Sequence, residues 1–328
     1  MLKDSFDRSI NYLRLSVTDR CDFRCVYCMS EEMQFVPRKE LLTIEEMTDI
    51  AGVFVELGVS KIRITGGEPL IRRNIIELFN KLGTLNQLDE LTLTTNGSQL
   101  REYAPLLVKA GVKRINISLD SLRPGRFRAL TRTGKLENVL QGIDSAIHAG
   151  LKVKLNSVIL KQRNSDEILD LVDYALNKKL DISFIEEMPL GNIKEHQRKD
   201  EFVSSKTLRN IIKTQHLLMP YSHKELTAGP SRYWAIPGYN SKIGFISPHS
   251  ENFCSDCNRI RLTATGQLLL CLGNEHSVNL KKVIRRYPKQ SSPLKETILA
   301  AMEIKPERHH FSLEEEPEIL RFMNMTGG

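Results

Sequence analysis

Six times between residues 11 and 188, a short apolar or alternating run gives way to a segment with helical spacing. The runs are YLRLSVT (12–18), KIRIT (61–65), ELTLTT (90–95), RINISL (114–119), KVKLNSVI (152–159) and DISFIEE (181–187). Strands that are each followed by a helix pair in parallel, and right-handed crossovers put the helices outside the sheet. The segment from Thr43 to Leu57 sets Ile44, Met47, Ile50, Ala51, Phe54 and Leu57 on one face and stops at Gly58; residues 137–149 stop in the same way at Gly150. The expected fold is α/β, an incomplete (partial) TIM-type barrel of about six β/α units, because a full barrel needs two more units before the pattern changes.

The pattern changes after Met188. GNIKEHQRKDE is polar and charged, and reads as a boundary or a mobile loop. This divides the chain into residues 1–190, the barrel, and 191–328, a C-terminal α+β extension. In the extension helices are expected near 205–216, 278–286 and 293–303. Loops at the C-terminal ends of parallel strands converge on the site. That singles out GGEPL (66–70), TTNG (94–97), SLDS (118–121), Asn156 and Met188. Each has an ordinary alternative as a turn former or core residue, and GGEP can be a strand-to-helix turn with Pro at the first helical position.

The chain carries six cysteines, at 21, 25, 28, 254, 257 and 271. A disulfide framework belongs to short secreted chains, and this one has 328 residues with no apolar leader in MLKDSFDRSI. Reduced thiols in a cytoplasmic setting point instead to metal or cofactor ligation. Cys21, Cys25 and Cys28 form a C-x3-C-x2-C array that directly follows the first strand. Three thiolates and no nearby His leave structural zinc one ligand short, so the spacing favours an iron–sulfur cluster with one open iron. The second array, C-x2-C-x13-C, crosses a hairpin turning at Thr265-Gly266. Zinc stays open there, with His249 or His276 as a fourth ligand.

In RIRL (259–262) basic and apolar residues alternate, which sends Arg259 and Arg261 to one face beside the second triplet. Arg14, Arg63 and Lys154 lie in strands as well, and Arg63 and Lys154 interrupt runs that otherwise read as buried. Guanidinium forks suit phosphate oxygens. Lys and Arg are usually solvated surface charges, and the net charge of +7 by itself admits a nucleic acid, an anionic small molecule or neither.

The first triplet, with GGEP after the second strand, resembles the radical S-adenosylmethionine (SAM) superfamily. NYLRLSVTDRC–FRC–YCM, KIRITGGEPLIRR, LTTNG, RINISLDS, the C-terminal C-x2-C-x-R-x-R and the terminal Gly-Gly together resemble the GTP 3′,8-cyclase family over almost the whole chain. Ser30 departs from the family, which commonly has Pro there. The resemblance implies two [4Fe–4S] clusters, on Cys21, Cys25 and Cys28 and on Cys254, Cys257 and Cys271. It implies SAM contacts at Tyr27, Gly67, Ser118 and Met188. It implies GTP contacts at Arg14, Arg63, Thr94, Lys154, Arg259, Ile260 and Arg261. Arg259, Arg261, Gly327 and Gly328 are implied to be catalytic, with the tail entering the pocket. Glu68 is expected to accept a hydrogen bond from an ammonium.

The implied reaction is radical cyclisation of GTP to 3′,8-cyclo-7,8-dihydro-GTP, the first step of molybdenum cofactor synthesis. A 5′-deoxyadenosyl radical takes hydrogen from C3′, which then joins C8. An electron donor such as ferredoxin or flavodoxin is implied, with the product passing to cyclic pyranopterin monophosphate synthase. No nucleic acid or membrane partner is expected, and a homodimer stays open. Two other readings fit parts of the pattern. One is a radical SAM enzyme acting on a peptide or RNA, which Arg259-x-Arg261 and the Gly-Gly end speak against. The other is a zinc-stabilised nucleic-acid module, which the 6% aromatic content speaks against for want of stacking platforms.

Overall fold

The computed structural model describes residues 1–193, 196–221, 229–313 and 319–327. Its six leading strands are β1 (Tyr12–Ser16), β2 (Lys61–Thr65), β3 (Glu90–Thr95), β4 (Arg114–Ser118), β5 (Lys152–Val158) and β6 (Asp181–Ile185). They pair in parallel in chain order. Helices α1 (Ile44–Glu56), α2 (Ile75–Gly83), α3 (Leu100–Lys109), α4 (Pro124–Thr131), α5 (Leu136–His148) and α6 (Ile168–Asn177) fall between them. The apolar face of α1 is buried through Met47, Ile50, Ala51 and Phe54. Its start is set by a reciprocal cap: Thr43 Oγ1 accepts from the Glu46 amide at 3.1 Å, and Glu46 accepts from the Thr43 amide at 2.8 Å. Caps of this kind contribute about 1 kcal/mol each.

The sheet does not stop at six parallel strands. After β6 come the short turns α7 (Arg198–Glu201) and α8 (Ser205–Ile212), then β7 (Met219–Pro220), β8 (Arg232–Ala235), β9 (Lys242–Ile246), β10 (Arg259–Leu262), β11 (Gln267–Leu269) and β12 (Ser277–Asn279). Helices α9 (Leu280–Arg286), α10 (Ser292–Glu303) and α11 (Met323–Thr326) complete the described elements. Strand β9 adds in parallel to β6, and β10 adds in parallel to β1 at the opposite edge. The described sheet is ordered β12-β11-β10-β1-β2-β3-β4-β5-β6-β9-β8-β7.

The α/β partial barrel therefore gains its seventh and eighth parallel strands from the C-terminal region. Antiparallel β8 and β11 flank them, so the two ends of the parallel run do not pair with one another and the barrel stays open. Residues beyond 190 are continuous with the barrel sheet, because β9 and β10 satisfy the edge hydrogen bonds of β6 and β1 that an isolated six-stranded unit would leave exposed. A single hydrophobic cluster runs from Leu2 and Leu13 through Phe54, Phe79 and Ile143 to Ile298.

Part of the segment expected to be mobile is pinned. His196 Nε2 lies 2.6 Å from Glu187, and Arg198 donates to Glu187 at 3.0 Å and to the carbonyls of Gly191 and Leu190. Buried opposite charges hold this stretch against the end of β6; residues 194 and 195 lie outside the described residues. No helix among the described residues is long and apolar enough to cross a membrane.

Candidate active site

All six cysteines line one cavity of about 290 Å³ inside the open barrel. None of them is in a disulfide. The same cavity is bordered by Tyr27, Gly67, Ser118 and Met188, by Arg14, Arg63, Thr94 and Lys154, and by Arg259, Ile260 and Arg261. The strand ends TTNG and SLDS reach it through Asn96 and Asp120, and Asn156 borders it from β5.

Register builds the basic wall. Tyr12 on β1 is paired with Arg259 on β10 and with Lys61 on β2; one pleat further, Arg14 is paired with Arg261 and with Arg63. Residues two apart share a face of a strand, so five cations and one phenol form two rows of three. Ile260, between the arginines, belongs to the hydrophobic core. Arg63 is 3% exposed and Lys154 7% exposed, which excludes the solvated-charge reading for both. Arg63 donates to the Leu93 carbonyl at 3.2 Å and to Thr94 Oγ1 at 3.3 Å. Lys154 donates to Tyr233 Oη at 2.8 Å from the facing wall. Burial, with Arg14 and Arg259 close by, holds the Arg261 pKa well below its usual value. Crowded buried cations of this sort are relieved by an anion.

The first triplet sits in the loop after β1. Gly66 and Gly67 are needed there for close approach to that loop: a Cβ on Gly67 would stand 2.3 Å from the Arg20 carbonyl oxygen, and one on Gly66 2.6 Å from that of Thr18. The amides of Gly67 and Glu68 donate to those carbonyls at 2.8 Å each. GGEP thus clamps the backbone leading into Cys21, and it is also the turn into a short 3-10 helix that starts at Pro69. The expectation for Glu68 is corrected. Its carboxylate is fully buried, and its oxygens accept from Leu70 N (2.9 Å), Thr95 Oγ1 (2.8 Å) and Asn96 N (2.7 Å). It ties the GGEP turn to the end of β3 and does not border the cavity.

Tyr27 donates from Oη to Asp120 at 2.7 Å. Burial pushes Asp120 up to about 6 despite that bond. Burial also raises the thiols of the first triplet, Cys28 to about 12. Burial raises Cys271 in the second triplet as well, but at Cys257 the balance differs. Burial raises Cys257, but Arg259 and Lys305 outweigh it and leave the thiol below its ordinary value. The Lys305 ammonium, 2% exposed, lies 3.8 Å from Cys257 Sγ and donates to the Leu270 carbonyl at 2.8 Å.

The hairpin expected around Thr265-Gly266 forms between β10 and β11 and returns Cys271 beside the pair. Neither histidine considered as a zinc ligand joins the thiols. His249 is bonded to the Glu187 carbonyl at 2.8 Å, and His276 is exposed. Among the described residues, no three His, Cys, Asp or Glu side chains gather closely enough to hold a single ion. Three thiols in each triplet, all lining one cavity, are a donor set that fits an iron–sulfur cluster.

Several lining residues escaped the sequence reading, among them Tyr12, Tyr233, Phe311 and His309. Tyr12 and Tyr233 look like ordinary strand residues, and Phe311 and His309 lie in a segment with no motif. His309 stacks on Phe311 with ring centroids 4.4 Å apart, and burial keeps its imidazole neutral, with a pKa near 4. The tail reaches the site as well. Arg14 and Arg261 donate to the Gly327 carbonyl at 3.3 and 2.6 Å, and Asn324 donates to the Asp19 carbonyl at 2.7 Å. Gly328 lies outside the described residues.

With this geometry in view, comparison with known proteins is specific. The profile of the Radical SAM superfamily matches residues 15–175, and that of Molybdenum Cofactor Synthesis C matches residues 180–311. The chain is 58% identical to a GTP 3′,8-cyclase of Saccharophagus degradans and 55% identical to one of Ectopseudomonas mendocina. Both matches cover 100% of this chain and 98% of the relative. Among solved structures, Streptococcus suis SuiB bound to S-adenosylmethionine aligns with a TM-score of 0.66 over 97% of this chain and 77% of that one. At 15% identity that likeness speaks for the fold alone.

Proposed function

This chain belongs to the GTP 3′,8-cyclase family, and on that premise we propose that its cavity binds SAM and GTP together between two iron–sulfur clusters. The reaction is radical SAM cyclisation of GTP in molybdenum cofactor synthesis. The observation that carries the reading is convergence: both cysteine triplets, the two rows of cations and the C-terminal tail meet at one cavity.

Cys21, Cys25 and Cys28 would hold the first [4Fe–4S] cluster, and Cys254, Cys257 and Cys271 the second. When bound, the first would supply the electron for radical chemistry on SAM, and the second would supply Lewis acidity toward the guanine ring. The chain's own residues do the rest. Tyr27, Gly67, Ser118 and Met188 border the SAM side. Tyr27 is locked by Asp120, which Val158 and Asn164 hold in turn.

Arg14, Arg63, Lys154, Arg259 and Arg261 neutralise the triphosphate, with Thr94 beside Arg63 and Ile260 in the wall. Charge-assisted guanidinium–phosphate bonds orient the ribose, and a fixed orientation lowers the barrier through proximity. His309 and Phe311 give flat, neutral faces beside the second triplet that suit a purine. Gly327 closes the cavity on the arginine side and helps exclude water. An electron donor such as ferredoxin or flavodoxin supplies electrons, and cyclic pyranopterin monophosphate synthase consumes the product.

The test is anaerobic reconstitution with SAM, a chemical reductant and GTP. Formation of 5′-deoxyadenosine together with a cyclised GTP product supports the reading, and SAM cleavage without any change to GTP overturns it. Iron analysis decides the clusters: about eight irons per chain are expected for two cubanes, and about four would remove the second.

A further inference from the structure

Tyr12 stands in the middle of the cationic wall. It is 2% exposed, yet it borders the cavity. Arg63 donates from Nε to its Oη at 2.5 Å, and Arg14 bonds the same phenol. The Lys61 ammonium lies 4.9 Å from its ring centroid. The charged groups facing it are Arg14 on its own strand, Lys61 and Arg63 on β2, and Arg259 and Arg261 on β10. Next in line come Glu90 on β3 and Arg114 on β4. The Glu90 carboxylate is engaged by Lys61 at 2.7 Å and Arg114 at 3.2 Å. An oxygen that receives guanidinium donors inside such a cluster is best satisfied as an anion. Burial opposes ionisation, but Arg63, Arg14 and Lys61 outweigh it and bring the phenol down to about 7.

We propose that Tyr12 is a built-in counter-anion for the basic wall. In the free protein it holds Arg14 and Arg63 in position, and it takes a proton from solvent when a substrate triphosphate takes over those guanidiniums. The inference rests on the GTP reading above. A triphosphate brings its own negative charge to the same arginines, so a phenolate beside it is disfavoured and the phenol returns toward its ordinary pKa. By linkage, GTP binding then takes up a proton, and affinity falls as pH rises above the free-state value, approaching about tenfold per pH unit for one linked proton. Tyr12 is a positioning residue on this account, and the pH signature is what separates it from a merely structural one.

The experiment is calorimetric GTP binding to the iron-loaded protein, without reductant, from about pH 6 to about pH 9, for wild type and Tyr12→Phe. Iron content and melting temperature are compared first. The titration of GTP itself is common to both proteins and cancels in the ratio of their Kd values. The expected result is a ratio of wild-type to Y12F Kd that rises with pH, the variant binding several-fold more tightly at the alkaline end. A ratio that stays constant or falls with pH overturns the proposal. Proton uptake by the wild type, counted at about pH 8 from two buffers of different ionisation enthalpy, needs no variant. The terminal phosphate of GTP is already ionised there, with a second pKa of about 6, so absence of uptake also overturns it. A wild type that binds no GTP at any pH instead overturns the GTP reading, and this inference with it.

Discussion

Arg261 donates from Nη1 to the carbonyl oxygen of Gly327 at 2.6 Å, across 66 positions of sequence. That bond joins a strand of the basic wall to the C-terminal tail. The tail itself is held at Leu190 by a parallel bridge to Ile319 and at Glu275 by Arg321. A frayed end was the ordinary expectation for the last residues of a chain. Here the Gly327 carbonyl is engaged by Arg14 and Arg261, both partly buried.

Gly327 has φ +76, and a Cβ there would stand 2.1 Å from Thr65 Oγ1. Gly327→Ala combines backbone strain of about 1–3 kcal/mol with that overlap, so the tail leaves its seat. GTP cyclisation is expected to fall at least about tenfold with iron content unchanged. The rate of product formation at equal iron content checks this, and an unchanged rate would refute it.

Lys305→Met removes the ammonium beside Cys257 and leaves the Leu270 carbonyl without that donor. Hydrogen bonds to charged groups contribute about 1.5–3 kcal/mol. Iron is expected to fall from about eight toward about four per chain, with the first triplet still loaded. Iron and sulfide analysis after anaerobic desalting checks it, and full retention would count against the role.

Arg63→Gln deletes a buried guanidinium from the phosphate wall while keeping most of its length. Loss of one charge-assisted pair at about 1.5–3 kcal/mol raises the KM for GTP roughly 10- to 150-fold. SAM affinity is expected to hold, since Arg63 bonds Tyr12, Leu93 and Thr94 and none of the residues on the SAM side. Steady-state kinetics in both substrates separate the two, and an equal loss for SAM would be the contrary result.

Glu68 gives a pH prediction. Burial raises its carboxyl to about 8 from an ordinary 4.5. A raised folded pKa contributes stability that is present below the unfolded value and lost as pH rises through the folded one. The window runs from about 4.5 to about 8. Glu68→Gln removes that dependence and, because an amide offers only one acceptor oxygen to the Leu70 and Asn96 amides, costs about 1–3 kcal/mol. Denaturant melts across the window check both parts, and the stability gap between wild type and variant should narrow as pH rises.

The strand-and-helix repeat was legible because burial on both faces of a parallel sheet leaves continuous apolar runs, and helices leave a spacing of three to four. The cysteine triplets were legible because their spacing is local. Glu68 was misread for a tertiary reason: whether its carboxylate faces the cavity or the adjoining strand end depends on where Thr95 and Asn96 arrive. The segment 191–201 was misread because its charges look solvated until Glu187 is placed beneath them. His309 and Lys305 carry no local signal, since Phe253 beside the one and Cys257 beside the other lie dozens of positions away.

The sequence by itself determined the kinds of atoms available: two sets of three thiols, basic residues set into buried strands, and a small-residue end. Tertiary structure alone decided which of them share a cavity. Periodicity tells which face of its own strand a side chain takes, but the partner beside it is set by register, and register is fixed by packing of the whole sheet. Thus β10 arrives next to β1 and aligns Arg259 with Tyr12 and Arg261 with Arg14. That pairing converts an unremarked tyrosine into the centre of a basic wall.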